Sequence, residues 1–311
     1  MTHQRMLSLV LISLYLLGMR TVALGYDQLG GDGVAEAVSN GAPTQVGDTE
    51  SEATKEPTES ETAQATADRR RDPVEPDFTI VSLPTTRRVP SHKAAFRLTH
   101  RFSRPLAQGD FGDFVNDFFG FDSAALIGIE FRFGLMPGTQ IGFHRTNDKT
   151  IQFFGQQDIV QQGDTSPLGL NALVTVEGLD NFRESYTTGL GVVVSRRVGQ
   201  GVALYAHPIW VANANLVPQV PADDNNAFLV GLGARVRLRP TVYVVGEFIP
   251  RVAGYDPGAH HVTFGIEKRA GGHLFQINFS NSLGTTIGQL ARGGASNDNW
   301  FIGFNISRKF F

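Results

Sequence analysis

Arg97, Arg101, Glu130, Arg132, His144, Glu177, Arg235, Arg237, Glu247, His261 and Glu267 are the side chains whose types and placement could do chemistry. Each stands on the polar parity of a stretch in which polar and apolar residues alternate. Both signs of charge are present, so two kinds of chemistry are open. Arg and carboxylate can meet in a planar two-bond geometry and brace a narrow interior as a structural network. The same residues around a water-filled passage would form a charged constriction that selects solutes. Catalysis has no comparable signal. No G-x-S-x-G elbow occurs. His260 and His261 are neighbours near a strand start, where they point to opposite faces and cannot chelate together. His207 precedes Pro208 and has no spaced partner. The chain has no Cys, which excludes a lipid-anchored Cys, disulfides, thioether haem attachment and Cys-based zinc or iron–sulfur sites. No catalytic, metal-ligating or cofactor-binding residue is therefore assigned. A net charge of −3 gives no basis for a nucleic-acid partner.

The elements that must position these residues are strands. Twelve candidates follow one another from about His92: 92–102, 122–133, 138–146, 149–158, 167–178, 186–197, 201–211, 226–238, 241–249, 260–268, 273–281 and 299–311. No long amphipathic helix alternates with them, which disfavours a βαβ architecture. In 226–238, Phe228, Val230, Leu232, Ala234, Val236 and Leu238 share one parity, while Ala227, Leu229, Gly231, Gly233, Arg235 and Arg237 share the other. In 273–281, Phe275, Ile277 and Phe279 alternate with Gln276, Asn278 and Ser280. The polar parity is rich in Gly, which suits a crowded concave interior better than a solvated exterior. The connections supply a separate signal. Those after even-numbered strands are mostly tight and those after odd-numbered strands mostly long, the bias of a bacterial outer-membrane barrel. The connections at Asn147-Asp148 and 159–166 depart from it. No apolar run reaches the roughly 20 residues a spanning helix needs. A barrel crosses a bilayer without one, because only alternate strand residues face lipid. The expected fold is an all-β, antiparallel up-and-down transmembrane barrel of about 12 strands.

The two ends of the chain point the same way. His3 and Arg5 precede an apolar stretch from Met6 to Gly18, and Ala23-Leu24-Gly25 forms a small-residue exit: the layout of a secretory signal peptide over 1–25. Residues 26–90 are acidic, rich in Thr and Ser and then punctuated by Pro, and read as a disordered tether that cannot bury enough apolar surface to order itself. The barrel is expected over 91–311. At the other end, Trp300, Ile302, Phe304, Ile306 and Phe310 share a parity, and the last strand closes on Phe310 and Phe311. A strand of this kind resembles the closing strand of outer-membrane barrels, whose terminal aromatic is a signal to the barrel-assembly machinery. Between the first two strands, Phe111, Phe114, Val115, Phe118 and Phe119 fall at helical spacing, with Asp110, Asp113 and Asp117 on the other side. This short helix could plug or cap the barrel, lie at the membrane interface or bind a partner. Residues 283–299, rich in Gly, Ser and Asn, read as a mobile surface loop.

Leu98–Phe102 reads L-T-H-R-F, Phe118–Asp122 reads F-F-G-F-D, and an alternating strand opens with Ala124-Ala125. This succession resembles a family of outer-membrane β-barrel proteins without an assigned activity. Its members begin with a His-Arg-Phe strand and continue through Phe-Phe-Gly-Leu-Asp; Phe121 stands here in place of the Leu. The resemblance covers about residues 92–311. It implies a membrane barrel and gives no residue a catalytic role. Two functions follow as expectations for a non-enzymatic barrel in the outer membrane of a Gram-negative cell. One is a narrow channel for small solutes. The other is a non-conducting structural or docking barrel whose tether binds a periplasmic protein. The partners expected in either case are membrane lipid and the assembly machinery.

Overall fold

The computed structural model describes residues 74–117, 123–216 and 224–311. The expected signal peptide, residues 26–73 of the expected tether, and Phe118–Asp122 lie outside the described residues. The strands are β1 (Ala94–Phe102), β2 (Ala125–Met136), β3 (Thr139–Thr146), β4 (Ile151–Val160), β5 (Gly169–Leu179), β6 (Glu184–Val198), β7 (Val202–Ala212), β8 (Ala227–Arg239), β9 (Val242–Ile249), β10 (Arg251–Gly254), β11 (His261–Ala270), β12 (His273–Ser280) and β13 (Phe301–Lys309). β9 and β10 flank Pro250 and both pair with β8, so they form one bent wall strand and the wall has twelve. Pro250 has no N–H to give the ladder, which is why the strand breaks there. Each wall strand pairs antiparallel with its sequence neighbours. β1 also pairs with β13, from Ala95↔Lys309 to Arg101↔Gly303, and this closes the barrel. Closure removes the sheet edge, so the wall strands satisfy their amide and carbonyl groups through one another, as hydrocarbon surroundings demand.

The two faces are inverted relative to a soluble barrel. Apolar residues of alternate parity point outward and remain exposed: Phe131, Ile141, Phe153, Leu190, Leu232, Phe264, Phe275 and Ile277 are among them, Ile277 at 58%. Their neighbours point inward and are largely buried, and many of these are Arg, Glu, Gln, Asn, Thr and Gly. The parity split expected for 226–238 and 273–281 is the one observed. The end that carries β1's start and β13's finish has the short turns 137–138, 199–201, 240–241 and 271–272. The opposite end carries the long connections 103–124, 213–226 and 281–300.

Two segments depart from the expectation. Residues 74–90, expected within the disordered tether, enter the barrel from the end with the short turns. They fold back as a finger and leave by the same end. Ile80 N donates to Leu83 O and Thr85 N to Phe78 O, each at 2.8 Å, and Thr79 bridges Pro84. Val74, Phe78, Ile80, Val81, Leu83 and Val89 are all at most 2% exposed. The barrel supplies the burial that the segment cannot supply for itself. Residues 283–291, expected in a mobile surface loop, also turn inward. A helix, Ile287–Arg292, caps the lumen with Ile287, Leu290 and Ala291 buried. We call it α2, and Phe111–Asn116 α1.

A plugged lumen as the candidate functional site

The inner wall has two halves of different chemistry. Leu173, Val193, Ile209, Val211, Leu229, Val245 and Ile249, from β5 to β9, form one apolar cluster with the finger's Ile80, Val81 and Leu83 and with Ile287, Leu290 and Ala291 of α2. The other half, from β1 to β3 and β11 to β13, is polar. Of the sequence-derived lumen residues, Arg97, Arg101, Glu130, Arg132, His144, Glu177, Arg235, Glu247, His261 and Glu267 are all buried inside the wall. Arg237 shares their parity and is half-buried toward the end with the short turns.

Several of them pair with one another. Glu130 takes Arg97 Nη2 at 2.8 Å on one oxygen and Arg132 Nε at 2.5 Å on the other. His144 Nδ1 stands 3.8 Å from the same carboxylate. Arg235 forks onto Glu267 through Nε at 2.8 Å and Nη2 at 2.9 Å, and Gln276 Nε2 adds a third donor at 2.8 Å. Arg101 Nη1 donates to Asn305 Oδ1 at 2.9 Å. Such buried pairs hold only when the remaining donors and acceptors also find partners.

The finger supplies many of those partners with its main chain. Glu247 accepts the amides of Val81 at 2.7 Å, Ser82 at 2.9 Å and Leu83 at 2.9 Å. Arg235 donates to Thr79 O at 2.7 Å, Gln276 to Ile80 O at 2.7 Å, and Arg97 to Val81 O at 2.8 Å. His207 Nε2–H donates to Pro84 O at 2.7 Å and Gln156 to Thr85 O at 2.7 Å. Two glycines make room: a Cβ on Gly231 would stand 2.8 Å from Leu83 Cδ1, and one on Gly233 would collide with Ile80. Further wall side chains hold its base, among them Tyr205 on Glu75, Gln140 on Arg87 O and Lys309 on Pro76 O, and just after the finger an isolated bridge joins Ser91 to Gly134.

α2 closes the other end. Thr286 and Gln289 form a reciprocal capping box. The amide of Ile287 donates to Gln152 Oε1 at 2.8 Å, and Gln289 Nε2 to Asp148 Oδ2 at 3.0 Å. Gly288 lies against the buried Glu177 carboxylate, which pairs with Arg292. Between fingertip and α2 remains a cavity of about 20 Å³ lined by Ser82, Arg97, Glu130, His144 and Thr285, among others. That is room for about one water molecule. A second cavity, of about 60 Å³, lies beside the finger's base among Glu75, Arg87, Asp158 and Arg197.

The helix expected from Phe111, Phe114 and Val115 is present as α1, capped by Asp110 and Asp113. Its Val115 is 41% exposed. Phe118 and Phe119 lie outside the described residues. The segments that fill the lumen, the finger and α2, were missed by sequence reasoning. Both had signals: the apolar-leaning run Phe78-Thr-Ile-Val-Ser-Leu83 inside a Pro-punctuated stretch, and Thr286-x-x-Gln289, a helix-start spacing. Phe310 faces outward and is 52% exposed, while Phe311 turns to the finger, its ring 6.4 Å from Phe78.

Comparison with known proteins agrees with this architecture. Residues 77–310 match the family described as "Membrane bound beta barrel domain (DUF5777)". The match begins inside the finger. No curated protein matches. Among solved structures, the NanC porin is similar at 9% identity over 70% of this chain and 99% of that one, with a TM-score of 0.47. The Acinetobacter baumannii outer membrane protein Omp33 shows 8% identity over 70% and 98%, with a TM-score of 0.39. Outer membrane phospholipase A from Escherichia coli shows 9% over 70% and 90%, with a TM-score of 0.40. These likenesses are distant, and the fold rests on the strand pairing itself.

Proposed function

The chain belongs to the family of membrane bound β-barrel domains, and from that premise we propose that it is a narrow, non-enzymatic conduit for small solutes held shut by its own finger. Its place in this reading is the outer membrane of a Gram-negative cell, reached through the signal peptide at 1–25. The finger's end faces the periplasm, and Phe310 and Phe311 serve as the signal to the assembly machinery.

One observation carries the reading. The polar lumen is closed by a segment that the wall holds with side chains rather than through its hydrogen-bonded sheet; among the described residues the sheet meets it at its end, at Ser91 and Gly134. The wall's own hydrogen-bond circle runs from β1 to β13 and back without it. Withdrawing the finger therefore leaves that circle whole. It uncovers, as far as α2, a lining of Arg97, Glu247, Arg235 and Gln276, the charged lining a selective pore uses, and α2 must also give way for solutes to pass.

A cross-link tests this directly. Thr86 Oγ1 on the finger and Ser195 Oγ on β6 are 2.6 Å apart, and the chain has no other cysteine to compete. The double variant T86C/S195C is expected to be silent in planar bilayers when oxidised and to pass current after a reductant is added. Silence in both states, across the voltage range in which porins conduct, would overturn the conduit.

A further inference from the structure

We infer that the seat vacated by the finger is a receptor for the main chain of an extended peptide, so that the finger is an internal stand-in for a peptide ligand. This rests on the reading above, in that the finger must be able to leave.

The argument begins with what the wall recognises. Glu247 makes its hydrogen bonds to three successive finger amides. The carbonyls of Thr79, Ile80, Val81, Pro84 and Thr85 are each taken by a different strand's side chain. Amides and carbonyls are common to every polypeptide, so these contacts carry almost no sequence information. The Ser82 hydroxyl at the tip, by contrast, has no hydrogen-bond partner among the described residues, although it is buried. At Ser82 the wall reads the backbone and leaves the hydroxyl unbonded.

A segment serving only as filler would call for an apolar seat of complementary shape. Here the seat, apolar along β5 to β9, also contains a carboxylate with no salt-bridge partner among the described residues, satisfied by peptide N–H groups. Leaving such a group without donors is costly, so an emptied seat favours any ligand that presents consecutive amides. Side-chain contacts add to these: Arg97 donates to Thr79 Oγ1 at 3.0 Å, Tyr205 to Glu75 at 2.8 Å, and Thr86 Oγ1 meets Ser195 Oγ, while Ile80, Val81 and Leu83 pack against the apolar half of the wall. Gly233 and Gly231 leave space that Ile80 and Leu83 fill, so the ligand needs aliphatic residues three apart on either side of a turn. Main-chain contacts giving affinity, with a few pockets giving selectivity, is how extended peptides are bound elsewhere.

The tethered finger competes at a high effective concentration, so a free peptide binds well only when the finger is weakened. Ser82→Pro in the full chain does this: it removes one amide that Glu247 accepts and leaves the chain continuous. The probe is a dye-labelled peptide with the sequence of residues 74–90, followed by fluorescence anisotropy in detergent and by block of current in planar bilayers. S82P is expected to conduct and to bind the peptide at least about tenfold more tightly than the wild-type chain does. An ester in place of the Val81–Ser82 amide in the probe should weaken binding about tenfold. A probe that keeps Glu75, Thr79, Ile80, Val81, Leu83 and Thr86 but changes the other side chains, Ser82 among them, should bind within about threefold of the original.

If S82P conducts but binds neither probe, the receptor inference is overturned and the conduit stands. Binding of the native sequence alone also overturns the inference, because the seat then reads side chains. If S82P is silent and binds nothing, the conduit reading has failed and the inference falls with it. A cold-versus-boiled gel shift identical to wild type verifies that S82P has folded.

Discussion

At the scale of single residues, alternation placed the charges correctly and said nothing of their partners. Arg235 and Glu267 were both assigned to the lumen from parity, and both are completely buried there. That they fork onto one another, with Gln276 and the carbonyl of Thr79 completing the set, depends on strands far apart in the chain. Removing one partner leaves an uncompensated buried charge. Arg235→Ala is expected to cost about 3–5 kcal/mol of barrel stability, whereas replacing Arg235 and Glu267 together by Met and Leu should cost much less. Urea unfolding in detergent, followed by Trp210 and Trp300 fluorescence, checks the order. A double variant as unstable as the single one would mean that the pair is not what holds this region. Glu247 makes the complementary point. Its parity put it inside, yet its partners are amides of residues 81–83, a segment read from composition as solvent-exposed.

Among the elements, the wall strands were legible and the two inserted segments were not. A strand in a barrel shows its two environments in its own sequence, because every second residue meets a different medium. The finger and α2 meet one medium only, the lumen, and that lumen is polar enough to accept Ser, Thr, Pro and Gly as readily as solvent does. Their composition therefore looked like that of a linker and a loop. α2 is secured at Gly288, where the helix lies directly against the Glu177 carboxylate. Gly288→Val has no room for its side chain there and is expected to lift α2 from the lumen. Limited trypsin digestion should then cut after Arg292 much faster than in wild type, while the finger sites after Arg87 and Arg88 keep their protection. Equal acceleration at all three sites would mean that α2 and the finger open as one unit.

For the molecule as a whole, the inverted faces govern behaviour in solution. Exposed Phe131, Leu190, Phe264 and Ile277 ring a wall whose interior holds the charges, so the folded chain requires a hydrocarbon surround. The protein is expected to need detergent, and to run at different positions on gels loaded cold and boiled, because a closed hydrogen-bonded wall resists dodecyl sulfate until heated. Full solubility without detergent would contradict the membrane assignment. The closing pair of strands behaves as the chain's end suggested. Ile302, Phe304 and Ile306 face outward, and β13 meets β1 over seven registered pairs. Phe311 falls on the other parity and turns to the finger's Phe78.

The sequence by itself determined the barrel: strand number, which residues share the polar parity, which end carries the long connections, and the charged residues of the lining. These are properties of residues two apart or of the turns between strands, and local alternation records them. Only the tertiary structure decided that the lumen is closed, and by what. A finger whose main chain is its main point of attachment leaves little mark on its own side chains, since any residue carries the same amide and carbonyl. Recognition of that kind appears only when the acceptor on the wall, Glu247, and the amides it holds are brought together from 164 to 166 residues apart.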